Sequence, residues 1–244
     1  MSTTRLAVFD IDGTLTATNA VDDECFLRAA GEVLGLEPAG LDWSAAPHVT
    51  DVGIAGWLCE RHHGRALTRG ELARMTERFV SHLRGALAAE PARFAPVAGA
   101  VGVLDDLRDA GWMTALATGG WGASARLKLE AAHIVAVLAA PVAAGDIAFA
   151  SSDDASTREE ILRLALARAA ERNGGASFGR VVSVGDGVWD VRTAAAVEWP
   201  FVGIARGAGA ERLRAAGAGT VLPDLADRSA LLHALDEARV PRAS

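Results

Sequence analysis

The stretch that decides the fold spans residues 6–15 and reads LAVFDIDGTL. Its first half is a continuous apolar run, which is typical of a strand buried on both faces of a parallel sheet. Asp10 follows directly at the carboxyl end of that strand, where open α/β sheets place their ligands. Asp12 comes shortly after it, and Gly13 permits a tight turn close to a bound group. The stretch therefore predicts a ligand site at one edge of a parallel sheet.

The two carboxylates of this stretch need a partner. Carboxylates at one strand tip repel each other unless a cation or a shared proton relieves the charge. A hard divalent cation such as Mg²⁺ is the simplest relief, because it takes oxygen ligands. An EF-hand loop is a poor alternative, since Gly13 comes too early and no glutamate closes the loop. A strand that ends in an ordinary polar turn is the other interpretation.

Composition bounds the class of protein. The chain has 244 residues, of which 50% are hydrophobic, so it can bury a sizeable core as one large domain or as a core with an insert. Its formal net charge is −7, its isoelectric point is near 5.4, and it has no basic cluster. These features argue against nucleic acid and against an anionic membrane as the main partner.

Further features bear on the compartment and on the chemistry. No signal-peptide segment precedes the first strand, and no apolar run reaches the length of a membrane span. Cys25 and Cys59 cannot make a disulfide framework and are expected to be reduced core residues. We therefore expect a cytoplasmic protein. Lys128 is the only lysine, and it lies between two leucines, which excludes a Walker A loop.

A helical pattern follows the first strand and continues for roughly eighty residues. Thr68 and Glu71 form a predicted capping box at the start of its third helix. Pro91 and Pro96 then break the pattern. The candidate helices are Val21–Leu34, Val52–His63 and Arg69–Ala88.

From Val97 the chain alternates helices with apolar strands. The helices are Gly99–Ala110, Ser124–Ala131, Thr157–Arg172 and Trp189–Val197, and the strands are Met113–Ala117, Ile147–Ala150, Val181–Val184 and Phe201–Ile204. Alternating units of this kind predict an α/β fold with a parallel sheet that is covered on both faces. We therefore expect a doubly wound, Rossmann-like core formed by residues 1–16 and 97–244, with residues 17–96 inserted as an α-helical cap domain.

Polar residues follow two of the later strands. Thr118 and Gly119 end the strand Met113–Ala117 and could offer a hydroxyl and backbone N–H groups to a phosphate oxygen. A simple strand-to-helix turn is the alternative. Asp186 follows the strand Val181–Val184, and Asp190 lies one helical turn further on. The alternative for Asp190 is a carboxylate that stabilises a helix N-terminus.

The order of these motifs resembles that of the haloacid dehalogenase superfamily of hydrolases, and the helical insert resembles the C1-type cap of its phosphoglycolate-phosphatase-like branch. The resemblance implies a further cation, usually a lysine, at the start of a helix between the motifs. Arg158 has that position, and Ser156 and Glu159 form a predicted capping box around it. An arginine is a departure, because a guanidinium is not interchangeable with an ammonium. Lys128 is the fallback, and an exposed arginine on a first helical turn is the alternative.

By resemblance, the protein is a Mg²⁺-dependent phosphatase acting on a small phosphorylated metabolite. Asp10 would attack phosphorus to form an aspartyl-phosphate, and Asp12 would serve as general acid and base. The resemblance assigns the metal to Asp10, the backbone carbonyl of Asp12, Asp186 and Asp190, and the phosphoryl oxygens to Thr118, the Gly119 amide and Arg158.

Asp12 distinguishes branches of the superfamily. Dehalogenase relatives lack a carboxylate there, phosphonate-cleaving relatives use a lysine from the cap, and P-type pumps carry Lys-Thr after the nucleophile. A phosphomutase keeps Asp12 and remains a rival, as does a catalytically idle phosphate- or partner-binding protein. The acidic residues near the first motif do not suit a second anionic group, although Arg28 could serve one. Substrate and oligomeric state stay open.

Overall fold

The computed structural model describes residues 4–37, 41, 43, 45–134 and 147–242. Its strands are β1 (Arg5–Phe9), β2 (Trp112–Ala117), β3 (Ala148–Ala150), β4 (Arg180–Gly185), β5 (Phe201–Ile204) and β6 (Val221–Leu222). Its α-helices are α1 (Asn19–Leu34), α2 (Asp51–His63), α3 (Arg69–Ala89), α4 (Ala100–Asp109), α5 (Gly122–Ala131), α6 (Arg158–Arg172), α7 (Val188–Ala196), α8 (Gly207–Ala215) and α9 (Arg228–Glu237), with a short 3-10 helix at Pro91–Phe94.

The strands form one parallel sheet in the order β3-β2-β1-β4-β5-β6. Chain order runs outward in both directions from β1, so the sheet is doubly wound. Residues of β1 are fully buried from Leu6 to Phe9, as expected for a strand with helices on both faces. Alternate residues face two different apolar clusters, with Phe9 in one and Val8 in the other. The predicted α/β, Rossmann-like fold class is confirmed.

The registers of β2 and β4 against β1 bring three motifs to one edge of the sheet. Phe9 at the end of β1 lies opposite Leu116 of β2 and Val184 of β4. Because the strands are parallel, their carboxyl ends meet at the same edge, where ligands bind in open sheets of this kind. The Asp10 N–H donates to the carbonyl of Val184 at 2.9 Å, which continues the pairing into the motif.

The helices α1, α2 and α3 pack around an apolar cluster of their own. Phe26 of α1 contacts Phe79 of α3 and Trp121, at ring-centroid distances of 5.8 and 5.7 Å.

The two chain segments that connect this helical block to the rest of the protein lie next to each other. The Ala17 N–H donates to the carbonyl of Ala95 at 2.8 Å, and the Val97 N–H donates to the carbonyl of Leu15 at 2.9 Å. The predicted cap segment, 17–96, begins and ends at this crossing.

Predicted element bounds agree with the observed ones to within one or two residues. The capping box of Thr68 and Glu71 is confirmed. The one predicted for Ser156 and Glu159 is wrong, because the Thr157 hydroxyl caps α6 and accepts from the Glu160 N–H at 3.3 Å. The sequence pattern missed α8, β6 and α9. In the described part of the chain, no helix is both long and apolar enough to cross a membrane.

Candidate active site

Three carboxylates converge where β1 and β4 end. Asp10, Asp186 and Asp190 each offer an oxygen, and these oxygens lie within 4.8 Å of one another. Asp10 and Asp190 are buried, at 7% and 6% exposed. Asp190 lies in the first turn of α7, where its Oδ2 accepts from the Gly187 N–H at 2.9 Å. It is therefore both a helix-capping carboxylate and a member of the cluster, so the two interpretations of this residue are compatible.

Gly13 allows the turn after β1 to approach Asp186. Its φ is 79°, and a Cβ there would lie 2.0 Å from the Asp186 Oδ2. A side chain at this position would therefore collide with the carboxylate. Asn19 of α1 donates to the same oxygen at 2.8 Å. The first turn of the helical block thus helps to hold a carboxylate of the core.

The three carboxylates disfavour one another's charge. Burial first, and then the charge of Asp190, raises the pKa of Asp10 well above its ordinary value, although Arg158 opposes the change. Burial and Asp190 together raise the pKa of Asp186 to about 7. A bound cation would relieve this repulsion, and oxygen ligands in a close group suit a hard cation such as Mg²⁺.

Arg158, the first residue of α6, reaches into this cluster. Its Nη1 donates to Asp190 at 2.6 Å and lies 3.4 Å from the Asp10 Oδ1. Its Nε donates to the carbonyl of Val49 at 2.7 Å, so the guanidinium also ties the core to the helical block. The side chain is 16% exposed, so the interpretation of Arg158 as an exposed surface arginine does not hold.

The turn after β2 lies against the same guanidinium. A Cβ at Gly119 would approach the Arg158 Nη2 to 2.8 Å and the Val49 carbonyl to 2.8 Å, so only glycine fits this close contact. The buried Thr118 hydroxyl accepts from the Gly120 N–H at 3.0 Å. A hydroxyl and a narrow glycine turn therefore flank Arg158, as a phosphate site would require.

Asp12 lies in a second charged group. Its Oδ1 accepts from the Thr18 hydroxyl at 2.5 Å, and its Oδ2 accepts from the Lys128 Nζ at 2.6 Å. Lys128 also donates to Asp22 of α1 at 2.5 Å. Its side chain is 0% exposed. Burial opposes the charge of Lys128, but the two carboxylates outweigh it and raise the pKa of this amine above its usual range.

Asp51 is the residue of this second group that the sequence patterns did not single out. It is 7% exposed and opens α2. Its Oδ2 accepts from the Trp121 N–H, and its own N–H donates to the carbonyl of Gly119, both at 2.8 Å. Burial first, and then the charge of Asp22, raises the pKa of Asp51 well above its ordinary value. The available sequence signal was a threonine-aspartate pair at the start of a helix. This pair is also a common N-cap pattern, so it did not single out Asp51.

A cavity of about 230 Å³ joins the two groups. Most of the predicted site residues line it, namely Asp10, Asp12, Thr118, Gly119 and Arg158. Asp190 lines a smaller recess beside Asp10. Asp186 lies against the turn at Gly13. Two tryptophans, Trp43 and Trp189, also line the cavity, with ring centroids 6.0 Å apart. The structure thus brings the predicted site residues together, and their catalytic roles remain predictions.

Comparison with known proteins adds the family. Residues 4–198 match the haloacid dehalogenase-like hydrolase family. A phosphoglycolate phosphatase from Mesorhizobium japonicum is 28% identical over 205 residues, which are 82% of each chain.

Solved structures share the fold. A hydrolase from Pseudomonas syringae superposes with a TM-score of 0.66 at 22% identity, covering 99% of this chain and 100% of that one. A putative β-phosphoglucomutase from Bacteroides vulgatus gives a TM-score of 0.64 at 14% identity, covering 96% and 91%. At these identities the structural likeness speaks for the fold alone.

Proposed function

The chain belongs to the haloacid dehalogenase-like hydrolases, and on that premise we propose that it is a Mg²⁺-dependent phosphatase for a small phosphate monoester. The observation that carries the proposal is the position of Asp10. Its buried carboxylate lies at the sheet edge, 3.4 Å from the Arg158 guanidinium and beside two further carboxylates. Groups suited to act as a nucleophile, as a cation for phosphoryl oxygens and as oxygen ligands of a metal therefore lie together at the sheet edge.

The proposed reaction has two steps. An Asp10 oxygen attacks phosphorus, the bond to the leaving alcohol breaks, and Asp12 gives its proton to the departing oxygen. Asp12 then takes a proton from water, whose oxygen attacks phosphorus and breaks the bond to Asp10. Phosphate leaves, and both carboxyl groups return to their initial states.

Arg158, the Thr118 hydroxyl and the Gly119 amide would hold the phosphoryl oxygens. Charge that develops on these oxygens in the transition state favours donors that are already in place. The bonds from Arg158 to Asp190 and to the Val49 carbonyl support such preorganisation, because they fix the guanidinium before a ligand arrives.

Mg²⁺ fits the donor set of the site. Asp10, Asp186, Asp190 and the Asp12 carbonyl would hold it. When bound, the ion neutralises the charge that these carboxylates share with the phosphoryl group. The raised pKa values of Asp10 and Asp186 support a site that takes a cation.

Residues 17–96 would act as a cap domain over this site, and the substrate would be a small phosphorylated metabolite of the cytoplasm. The cavity volume of about 230 Å³ supports a small substrate, since pockets for drug-sized ligands are larger, at roughly 300–1,000 Å³. The similarity to a phosphoglycolate phosphatase points the same way.

The test is hydrolysis of p-nitrophenyl phosphate by the purified protein with Mg²⁺, with the Asp10→Asn variant as a control for contaminating phosphatases. We expect turnover by the wild-type protein and none by the Asp10→Asn variant. Equal rates for the two proteins, or no release of p-nitrophenol by either, would contradict the proposal and favour an idle phosphate-binding protein.

A phosphomutase of the same superfamily is the second candidate, because it would also use Asp12 as general acid and base. The two activities differ in the acceptor of the phosphoryl group. Incubation with a hexose phosphate separates them, since a phosphatase releases inorganic phosphate while a mutase yields an isomeric ester. We expect free phosphate without isomerisation.

A further inference from the structure

Three consecutive residues of the helical block, 49–51, contact both parts of the core that would hold phosphate. The Asp51 N–H donates to the carbonyl of Gly119, in the turn after β2, at 2.8 Å. The Arg158 Nε, at the start of α6, donates to the carbonyl of Val49 at 2.7 Å. Residues 49–51 are called the bridging segment below, because they join the turn after β2 to the start of α6.

The first turn of α2 holds the bridging segment in place. Thr50 is the N-cap of this helix, and its hydroxyl accepts from the Gly53 N–H at 3.1 Å. The same hydroxyl donates to the carbonyl of Ser156, just before α6, at 2.8 Å. A Cβ at Gly53 would lie 2.9 Å from this hydroxyl and 2.9 Å from His48, so the chain is closely packed here. The capping contacts therefore fix the bridging segment against the core.

The Asp51 side chain adds a second bond to the turn after β2. Its Oδ2 accepts from the Trp121 N–H at 2.8 Å, two residues beyond the carbonyl that its own N–H contacts. A carboxylate in a first helical turn can stabilise the helix from the surface. Asp51 is instead 7% exposed, and burial of a carboxylate is costly. Its burial therefore points to a role at the turn.

The hydrogen bonds of the turn leave one amide available to a ligand. The N–H groups of residues 120–122 all donate within the protein. Their acceptors are the Thr118 hydroxyl and the carboxylates of Asp51 and Asp153. Within the described chain, the Gly119 N–H has no hydrogen-bond partner, and Gly119 lines the cavity. This is the amide that would hold a phosphoryl oxygen.

Resting on the proposed function, we propose that Asp51 is a positioning residue that sets the Gly119 amide toward the phosphoryl group through its bond to the Trp121 N–H. Asp51 acts through the turn and does not touch the reacting atoms. A donor stabilises developing charge when it is already in place, and a displacement of about 1 Å can cost about a hundredfold in rate. The helical block would thus supply part of the phosphate site as well as covering it.

The experiment removes or moves the acceptor of the Trp121 N–H. Asp51→Ala removes it and keeps the backbone bonds of the bridging segment, including the one to Arg158. It should lower kcat for p-nitrophenyl phosphate with Mg²⁺ by about tenfold or more, with KM nearly unchanged, because the donor acts on charge in the transition state. Alanine is a good helix former, so α2 should persist.

Two further substitutions at Asp51 separate the hydrogen bond from the charge. Asp51→Asn keeps an oxygen acceptor without the charge and should turn over close to the wild-type rate. Asp51→Glu keeps the charge but moves the acceptor by one methylene group, and it should lower kcat. Rates are compared per folded molecule, with thermal unfolding of each variant as the measure of folding.

Amide hydrogen exchange gives a readout that does not depend on activity. In isotope-labelled protein without metal, the Trp121 amide should exchange faster in Asp51→Ala than in the wild type, since protection follows local hydrogen bonding. Asp51→Asn should keep most of the protection. Asp153→Ala is the control, because the exposed Asp153 accepts from the Gly122 N–H at 2.9 Å but lies outside the cavity. It should leave kcat unchanged.

An Asp51→Ala variant with wild-type kcat, or with unchanged exchange at Trp121, would overturn the inference alone. An active Asp51→Glu beside an impaired Asp51→Asn would also overturn it, because the charge and not the hydrogen bond would then matter. A loss in Asp153→Ala equal to that in Asp51→Ala would do the same, since it would reflect a general loosening of the turn. Failure of the proposed function has a different signature, namely no turnover of p-nitrophenyl phosphate by the wild-type protein.

Discussion

Two charged groups meet at the site, and they differ in what their cations can do. Each group pairs one cation with two aspartates, Arg158 with Asp10 and Asp190, and Lys128 with Asp12 and Asp22. Arg158 lines the cavity, whereas Lys128 is 0% exposed and does not. A cation that borders the cavity can meet a ligand, while one enclosed by its partners can only hold them. From this comparison we propose that Arg158 binds the phosphate group and that Lys128 holds Asp12 and Asp22 in place.

The largest expected effect is at Asp10. Asp10→Asn should abolish turnover of p-nitrophenyl phosphate, because the amide cannot act as the nucleophile. The fold should stay intact, since the size of the side chain is unchanged and a raised pKa shows that its charge is unfavourable in the metal-free protein. Steady-state kinetics and thermal unfolding check both statements. A purified variant with near-wild-type activity would contradict the covalent mechanism.

Metal removal should have an effect of similar size. EDTA should abolish turnover and added Mg²⁺ should restore it, because the carboxylates around Asp10 otherwise repel one another and the phosphoryl group. Ca²⁺ should inhibit, since it accepts looser and higher coordination than the near-octahedral geometry of Mg²⁺. Undiminished turnover after EDTA and dialysis would reject the metal assignment.

Removal of each cation in turn tests the comparison between Arg158 and Lys128. Arg158→Ala should lower kcat by roughly a hundredfold or more, by analogy with the loss of an oxyanion donor. Lys128→Ala should mainly lower the free energy of unfolding, by about 3–5 kcal/mol, because it leaves two largely buried carboxylates without their cation. Activity per folded molecule and urea unfolding separate the effects.

A crippled Lys128→Ala that is as stable as the wild type, beside an active Arg158→Ala, would reverse the assignment. The Arg158→Lys variant tests whether a positive charge alone is enough at this position. Substantial activity in that variant would mean that the site needs only a point charge, whereas low activity would mean that it needs the guanidinium fork.

The smallest expected effect concerns pH and Asp186. The pKa of Asp186 is raised in the folded protein, from 3.8 to about 7, so the folded state binds its proton more tightly than the unfolded state. Its contribution to stability is therefore present below pH 3.8 and is lost as the pH rises to about 7.

In metal-free protein, Asp186→Asn should therefore be more stabilising at pH 8 than at pH 4. Thermal unfolding of both proteins at the two pH values, with EDTA present, checks this difference. An equal stability change at both pH values would contradict it. Mg²⁺ should remove much of the advantage of the variant at pH 8, because the bound cation favours the ionised carboxylate.

The parts of the site that follow strands could be predicted from sequence. Asp10, Thr118 and Asp186 each come after an apolar run, and parallel strands bring their carboxyl ends to one edge whatever the details of packing. For Arg158, the family resemblance implied a cation at the start of a helix, and its position favoured it over Lys128. Its predicted capping box was shifted by one residue, because Ser156 with Glu159 and Thr157 with Glu160 match the same pattern equally well.

The contacts of Lys128 could not be predicted in this way. Lys128 meets Asp12 and Asp22 across more than a hundred residues of sequence, and these contacts depend on where α5 lies relative to the turn after β1 and to the start of α1. A local hint was present, since a lysine between two leucines in a helix favours a buried position. No spacing rule would have identified Asp22 as the partner, because that pairing is set by tertiary packing alone.

The most direct test of the account is the identity of the phosphorylated residue. Rapid acid quench during turnover of p-nitrophenyl phosphate with Mg²⁺, followed by peptide mass spectrometry, should find the phosphoryl group on Asp10. The label should be absent from Asp10→Asn and should persist longer in Asp12→Asn, where the base for the second step is missing. Active enzyme that carries the label on another residue, or that never carries one under conditions that trap an acyl phosphate, would contradict the account.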